Sequence, residues 1–175
     1  MLKSDLRVKH LNKRKELSVE ERDRFSTLIF NRLIQFAQAY KRVGVYISMD
    51  HEVDTHQFIQ WCFCHNKQVY VPKIIEKRMI FIEIHSLDEC IRNKIGILEP
   101  ISIHETKDKI EIMIVPMLAY NEKNYRLGYG KGYYDQYLSN YDGYALGICF
   151  SCNLDNELIE EEHDIKLAKI FTEQE

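Results

Sequence analysis

Apolar residues recur at three- and four-residue intervals through Phe25, Leu28, Ile29, Leu33 and Phe36. That period predicts an amphipathic helix with these five side chains turned to the core. Ser18 and Glu21 supply the capping-box pattern at its start, and the pattern fades near Tyr40 and Lys41. Phe58, Ile59, Cys62 and Phe63 repeat the helical spacing inside a second segment, residues 55–66. Elsewhere the pattern changes. Residues 43–48 are continuously apolar, which suits a strand covered on both faces. Residues 68–74, 80–84, 110–118 and 144–150 also read as strands, with 110–118 the strongest. Pro116 stands near the end of that run, where it costs little pairing. Residues 86–92 read as a helical turn or loop, 96–100 as a turn, 133–138 as a short helix, and 159–172 as a last turn with a short strand.

Residues 1–16 form a charged helix with Leu6 and Leu17, joined by Leu2 and Leu11, as its apolar contacts. Strands therefore alternate with helices along most of the chain. The pattern predicts an α/β fold: a three-layer domain with a mainly parallel sheet flanked by helices on both faces. A length of 175 residues without repeats or linker composition fits one domain spanning residues 1–175.

Composition narrows the function. An apolar share of 45% supplies a core, and a net charge of −3 argues against general attraction to nucleic acid. No apolar run approaches a membrane span and no signal-peptide core is visible, so a cytoplasmic protein acting on small molecules is expected, as a monomer. The five cysteines, an odd count, predict free thiols. Cys62, Cys64 and His65 lack the spacing of a zinc half-site and read as mostly buried structure.

The chemistry concentrates in residues 126–135, Arg-Leu-Gly-Tyr-Gly-Lys-Gly-Tyr-Tyr-Asp. Three of the seven glycines, Gly128, Gly130 and Gly132, alternate within this stretch. Glycine lets a ligand approach the main chain, and a glycine turn that opens a helix presents free N–H groups to a phosphate. Arg126 and Lys131 add fixed positive charge. Asp135 offers a carboxylate for a cation. Two familiar cradles are excluded. A Walker loop needs Ser or Thr after the lysine, where this chain has Gly132. A dinucleotide fingerprint needs two residues between its last two glycines, where this chain has one. The plain alternative is a glycine-rich surface turn.

Lys3, Arg7 and Arg14 share one face of the first helix. Such a stripe is either a solvated basic face or a set of cations reaching an anionic ligand. The polar turn 49–55 sits at the C-terminal end of a strand, where ligands of α/β sheets bind. Asp54 is the expected helix cap there, which leaves Glu52 the freer carboxylate.

These residues resemble the 5-formyltetrahydrofolate cyclo-ligase family, also called 5,10-methenyltetrahydrofolate synthetases. The resemblance covers nearly the whole chain. It rests on Lys3-x-x-x-Arg7 with Arg14, on Glu52-Val53-Asp54-Thr55, on Val71-Pro72-Lys73, and on Gly96-Ile97-Leu98-Glu99-Pro100. Val115-Pro116, the string from Arg126 to Asp135, His163-Asp164 and Thr172-Glu173 complete it. The string from Arg126 is the specific one. The resemblance implies an enzyme that uses ATP and magnesium to convert 5-formyltetrahydrofolate into 5,10-methenyltetrahydrofolate, ADP and phosphate. By similarity, Lys3, Arg7 and Arg14 reach the ATP, and Arg126, Leu127, Gly128, Tyr129, Gly130, Lys131, Gly132, Tyr133 and Tyr134 hold its phosphates. Arg126 and Lys131 serve the transfer itself. Ile47 and Glu52 hold the folate, with Tyr129, Gly130, Lys131, Gly132 and Tyr133 against it. Asp135 and Asp164 bind magnesium.

Three positions depart from the family pattern. Met117 and Asn121 replace a common glycine and aspartate, and Asn124 replaces a frequent glycine. Two rivals share parts of the signal: another α/β phosphate-binding enzyme, such as a sugar-phosphate isomerase or small kinase, and a non-catalytic folate- or nucleotide-binding module.

Overall fold

The computed structural model describes residues 2–174. Helix α1 (Lys3–Glu16) leads to α2 (Val19–Ala37), where Ser18 and Glu21 form both bonds of the capping box. Strand β1 (Arg42–Val45), α3 (His56–Cys64), β2 (Gln68–Ile75) and β3 (Arg78–Ile84) follow. A small hairpin, β4 (Cys90–Arg92) with β5 (Leu98–Pro100), precedes β6 (Ile112–Val115). A second hairpin, β7 (Ala119–Tyr120) with β8 (Arg126–Leu127), delivers the glycine stretch to α4 (Tyr133–Leu138). The chain closes with β9 (Tyr144–Ile148) and β10 (Lys169–Phe171).

Six strands form the main sheet in the order β10-β9-β6-β1-β2-β3, parallel except for β3, which runs antiparallel to β2. The strands alternate their side chains between two cores. Ile112 and Ile114 of β6 join Val43, Val45, Val69 and Val71 on the face covered by α2 and α3. Met113 and Val115 join Tyr70 and Ala145 on the face covered by α4, through Leu138, Tyr134 and Tyr137. The structure is thus the three-layer, mainly parallel fold expected. Each fully buried aliphatic side chain contributes about 1.5–3 kcal/mol, so both faces of β6 carry a large share of stability.

Some expectations shift. Ile29 and Leu33 are buried, but Leu28 is 41% exposed, because it lies off the stripe that α2 turns to the sheet. Residues 96–100, expected as a turn, contain β5, and residues 86–92 hold a single 3-10 turn followed by β4. All five cysteines are free, yet Cys64 and Cys152 are exposed. Among the described residues no helix is long and apolar enough to cross a membrane.

Candidate active site

The chain leaves β1 toward β2 on one side and returns to β6 on the other, so the strand order reverses beside β1. In open α/β sheets the crevice outside such a reversal is the binding site. The chain following β1 forms one wall. Thr55 donates its hydroxyl to the Tyr46 carbonyl at 2.8 Å and accepts the Ser48 amide at 2.9 Å, which fixes the turn. The N-cap position of α3 falls on Thr55, one residue later than expected, and Asp54 from the position before it accepts the His56 amide at 3.0 Å. Glu52 is left facing the crevice at 6% exposure. Its Oε2 accepts the Met49 amide at 2.9 Å, and its Oε1 accepts the Tyr129 hydroxyl at 2.5 Å. Ile47 is packed in the main core below this turn.

The basic face of α1 points inward and is not solvated. Lys3 Nζ meets Asp164 Oδ2 at 2.6 Å, and Arg7 Nε donates to the Gly128 carbonyl at 2.9 Å. Arg14, 1% exposed, donates from Nη2 to the Met117 carbonyl at 2.6 Å, just past the end of β6. Its Nε is buried with no partner among the described residues. Burial works against the Arg14 charge, but the acidic groups around it, the Glu52 carboxylate among them, hold its pKa above the usual arginine value.

Sequence reasoning missed His10 on this same face. It is fully buried, receives a bond on Nδ1 from Asn153 at 3.1 Å, and donates from Nε2 to Asp155 at 2.7 Å. The signal was available: His10 stands seven residues after Lys3 and four before Arg14, within the same stripe.

The glycine loop forms the opposite wall. Arg126 is buried and donates from Nη2 to Asp135 Oδ1 at 2.9 Å, which also receives the Ile165 amide at 3.3 Å. Leu127 packs with Leu6, Ala119 and Leu158. Gly130 and Gly132 take left-handed φ values of 91° and 70°. A Cβ on Gly130 would lie 3.0 Å from Arg7 Cζ, so a side chain there would strain the backbone and also press on the guanidinium. Lys131 is exposed, with no ion pair among the described residues. Tyr133 packs into the second core beside Tyr134, whose hydroxyl is buried with no partner among the described residues. Burial and Glu52 push the Tyr134 pKa up, while Arg126 opposes them.

The three departures from the family pattern have local surroundings that suit them. Asn121 Oδ1 accepts the Lys123 and Tyr125 amides at 3.1 and 3.0 Å, and its Nδ2 donates to the Leu158 carbonyl at 3.0 Å. An aspartate can make the first two bonds only. Asn124 sits at φ 66°, a conformation glycine or asparagine tolerates best. Met117 fills the space above Gly147, where its Cε lies 2.3 Å from the position of a would-be Cβ.

Asp135 and Asp164 adjoin each other through the Ile165 amide, and each already faces a cation, Arg126 and Lys3 respectively. Burial raises the Asp164 pKa, but the Lys3 ammonium overcomes it and holds the carboxyl below its usual range. Among the described residues no cluster of three or more His, Cys, Asp or Glu side chains is arranged to hold a metal. A cleft of about 330 Å³ runs beside Tyr133 and Tyr137, and another of about 380 Å³ lies between Leu138 and Leu167. Neither is lined by Glu52 or Arg14.

Cations and backbone amides on one wall, with a buried carboxylate on the other, are groups suited to an anionic ligand in an α/β fold. A 5-formyltetrahydrofolate cyclo-ligase of Escherichia coli K12 is 31% identical over 139 residues, covering 74% of this chain and 76% of that protein. The chain belongs to the 5-formyltetrahydrofolate cyclo-ligase family, whose profile matches residues 1–173. The mouse 5-formyltetrahydrofolate cyclo-ligase is 27% identical over 98% of this chain and 93% of its own. Among solved structures, the 5,10-methenyltetrahydrofolate synthetase of Aquifex aeolicus superposes with a TM-score of 0.88 at 31% identity, covering 100% of this chain and 91% of that one. The Mycoplasma pneumoniae synthetase gives 0.80 at 25%, covering 99% and 100%.

Proposed function

We propose that this crevice carries out ATP-dependent cyclisation of 5-formyltetrahydrofolate to 5,10-methenyltetrahydrofolate, with release of ADP and phosphate. The observation that carries the reading is the Glu52–Tyr129 bond. It joins the carboxylate wall to the glycine loop, so a pterin on Glu52 and a phosphate on the loop share one space. Glu52 accepts the adjacent N–H donors of the pterin edge, and Ile47 supports the turn beneath it. Lys131, exposed and without an ion-pair partner among the described residues, reaches the ATP phosphates with the loop amides, Lys3 and Arg7. Arg126 holds the two ends of the loop together through Asp135. Arg14 stands between the walls as buried positive charge.

The formyl oxygen is a poor leaving group. It attacks the γ-phosphorus, a new O–P bond forms, the bond to the β-phosphate oxygen breaks, and ADP departs. N10 of the folate then attacks the activated formyl carbon. A C–N bond forms, the carbon–oxygen bond breaks, phosphate leaves, and N10 loses its proton. Phosphoryl transfer of this kind depends on positioning and on neutralising charge, which the loop and its cations provide.

Asp135 and Asp164 suit magnesium. They are an all-oxygen pair, and magnesium is held by one or two carboxylates with phosphate oxygens and water completing its shell. When bound, the ion would neutralise charge on the β- and γ-phosphates. We further read the protein as a single-domain cytoplasmic monomer, and its free thiols fit a reducing compartment.

The test is the ultraviolet absorbance of the methenyl product from purified protein. Signal that requires both ATP and 5-formyltetrahydrofolate supports the reading. ATP consumption that does not depend on the folate, with no methenyl product, overturns it.

A further inference from the structure

Both oxygens of Glu52 are engaged without any ligand: Oε2 by the Met49 amide and Oε1 by the Tyr129 hydroxyl. The carboxylate is 6% exposed, so water is largely excluded as a substitute donor. An ionised carboxylate buried without donors is costly, and Tyr129 relieves that cost. The phenol holds its proton firmly, because burial and the Glu52 charge push its pKa up against the opposing pull of Arg14. It therefore acts as a donor at neutral pH.

Tyr129 reaches Glu52 from the middle of the loop, between Gly128 and Gly130. Tyr129 as a residue is 39% exposed, although its hydroxyl end is desolvated beside Glu52. One side of the residue therefore faces solvent. The Arg7 bond to the Gly128 carbonyl anchors the start of the loop.

We propose that Tyr129 sets the affinity of this crevice for the folate: its hydroxyl occupies the seat on Glu52 that a pterin N–H needs, and the substrate must displace it. The inference rests on the reading of Glu52 as the folate carboxylate. A phenol offers one donor, whereas the pterin edge offers two side by side, so the exchange favours the substrate while the competitor subtracts from its affinity. Tyr129 is thus a competing donor on Glu52 that selects for ligands able to give the carboxylate more than one bond.

The experiment compares the unmodified protein with Tyr129→Phe and Glu52→Gln. Titration calorimetry is run separately with 5-formyltetrahydrofolate and with ATP, and thermal melts are recorded with and without saturating folate. Removing the competing hydroxyl should tighten 5-formyltetrahydrofolate binding about tenfold, the size expected for one hydrogen bond to a charged group. ATP affinity should not change. The ligand-free Tyr129→Phe protein should melt lower, because Glu52 has lost its donor, while the folate-saturated proteins melt alike. A merely structural tyrosine would lower both melts. Equal or weaker folate binding by Tyr129→Phe overturns the inference. If that happens while Glu52→Gln weakens folate binding, Tyr129 alone has been misread. If Glu52→Gln binds folate as the unmodified protein does, the reading of Glu52 itself has failed.

Discussion

Arg126 and Asp135 stand nine positions apart and meet at 2.9 Å, so a single ion pair ties the entry of the glycine loop to its exit. The guanidinium is almost wholly buried, its side chain 3% exposed against 23% for the carboxylate. The pair closes the loop into a ring of backbone. It also keeps a buried positive charge compensated, which matters more to stability than the attraction itself.

Asp135→Asn should therefore do two things at once. The amide keeps an acceptor for Arg126 but not the charge, and unfolding in urea should show a loss of about 1–3 kcal/mol. Turnover should demand more magnesium if Asp135 also carries the metal. Unchanged stability would mean that Arg126 finds its acceptors elsewhere, such as the Ile165 carbonyl now 3.4 Å away.

The hydrophobic pattern located the layers well but overran the strands for an instructive reason. Residues 43–48 and 110–118 read as continuous strands, yet β1 stops at Val45 and β6 at Val115. Tyr46, Ile47, Met117 and Leu118 remain buried after the pairing ends. Apolar pattern reports burial, and burial continues here into the walls of the crevice. The bounds of α4 were legible because Gly132 marks its start, at a φ that other residues avoid. The β7–β8 hairpin was not, since its strands are two residues each and its turn is built by Asn121, a residue that also belongs to ordinary loops. Within the candidate site, Lys3, Arg7, Arg14, Glu52 and the loop were readable as charges on one helix, one turn and one glycine stretch. The partners were not, because Met117, Asp155 and Tyr129 meet them only through contacts more than seventy residues apart in the chain.

Stability should fall as the solution is acidified from neutrality, and His10 should contribute to the slope. Burial lowers its pKa, with Lys13 and Lys9 adding to the effect and Asp155 opposing it. The unfolded chain then binds the proton more readily than the folded one. The contribution of His10 is complete above the ordinary histidine value of about 6.5 and is lost as pH drops through the lower folded value. Each group contributes at most about 1.4 kcal/mol per pH unit. His51, also lowered by burial, adds a similar term. Urea denaturation between pH 7 and pH 5 should show a shallower slope for His10→Asn than for the unmodified protein. Equal slopes would mean that His10 titrates alike in both states. Asp155, held below the usual carboxylate range chiefly by Lys9 and His10 against the effect of burial, acts only below about pH 3.9.

Tyr134→Phe separates stability from activity. Its hydroxyl is buried with no partner among the described residues, so the fold gains nothing from it. Removing an unsatisfied buried group should leave the urea midpoint equal or higher. If the hydroxyl finds its acceptor in the bound substrate, turnover should fall by about one to two orders of magnitude, the equivalent of one buried hydrogen bond. A stable variant with full activity would remove Tyr134 from the site. A marked loss of stability would show that the hydroxyl has a partner in the folded protein.

Gly130 and Gly96 offer a controlled comparison of loop and scaffold. Both hold left-handed backbone, with φ values of 91° and 84°. Alanine at either position strains the main chain by about 1–2 kcal/mol. Their surroundings differ. A Cβ at Gly96 meets nothing within 4 Å, whereas a Cβ at Gly130 lies 3.0 Å from Arg7 Cζ and 3.2 Å from its Nε. Arg7 is the side chain that holds the Gly128 carbonyl, so displacing it also loosens the start of the loop. Gly96→Ala should thus lower the melting temperature and leave the KM for ATP unchanged. Gly130→Ala should lower melting by a comparable amount and raise the KM for ATP several-fold besides. Arg7→Ala combined with Gly130→Ala should cost scarcely more ATP affinity than Arg7→Ala alone, since neighbours acting through one contact are not additive. Additive losses in the double variant would show that the glycine and the arginine serve the nucleotide separately.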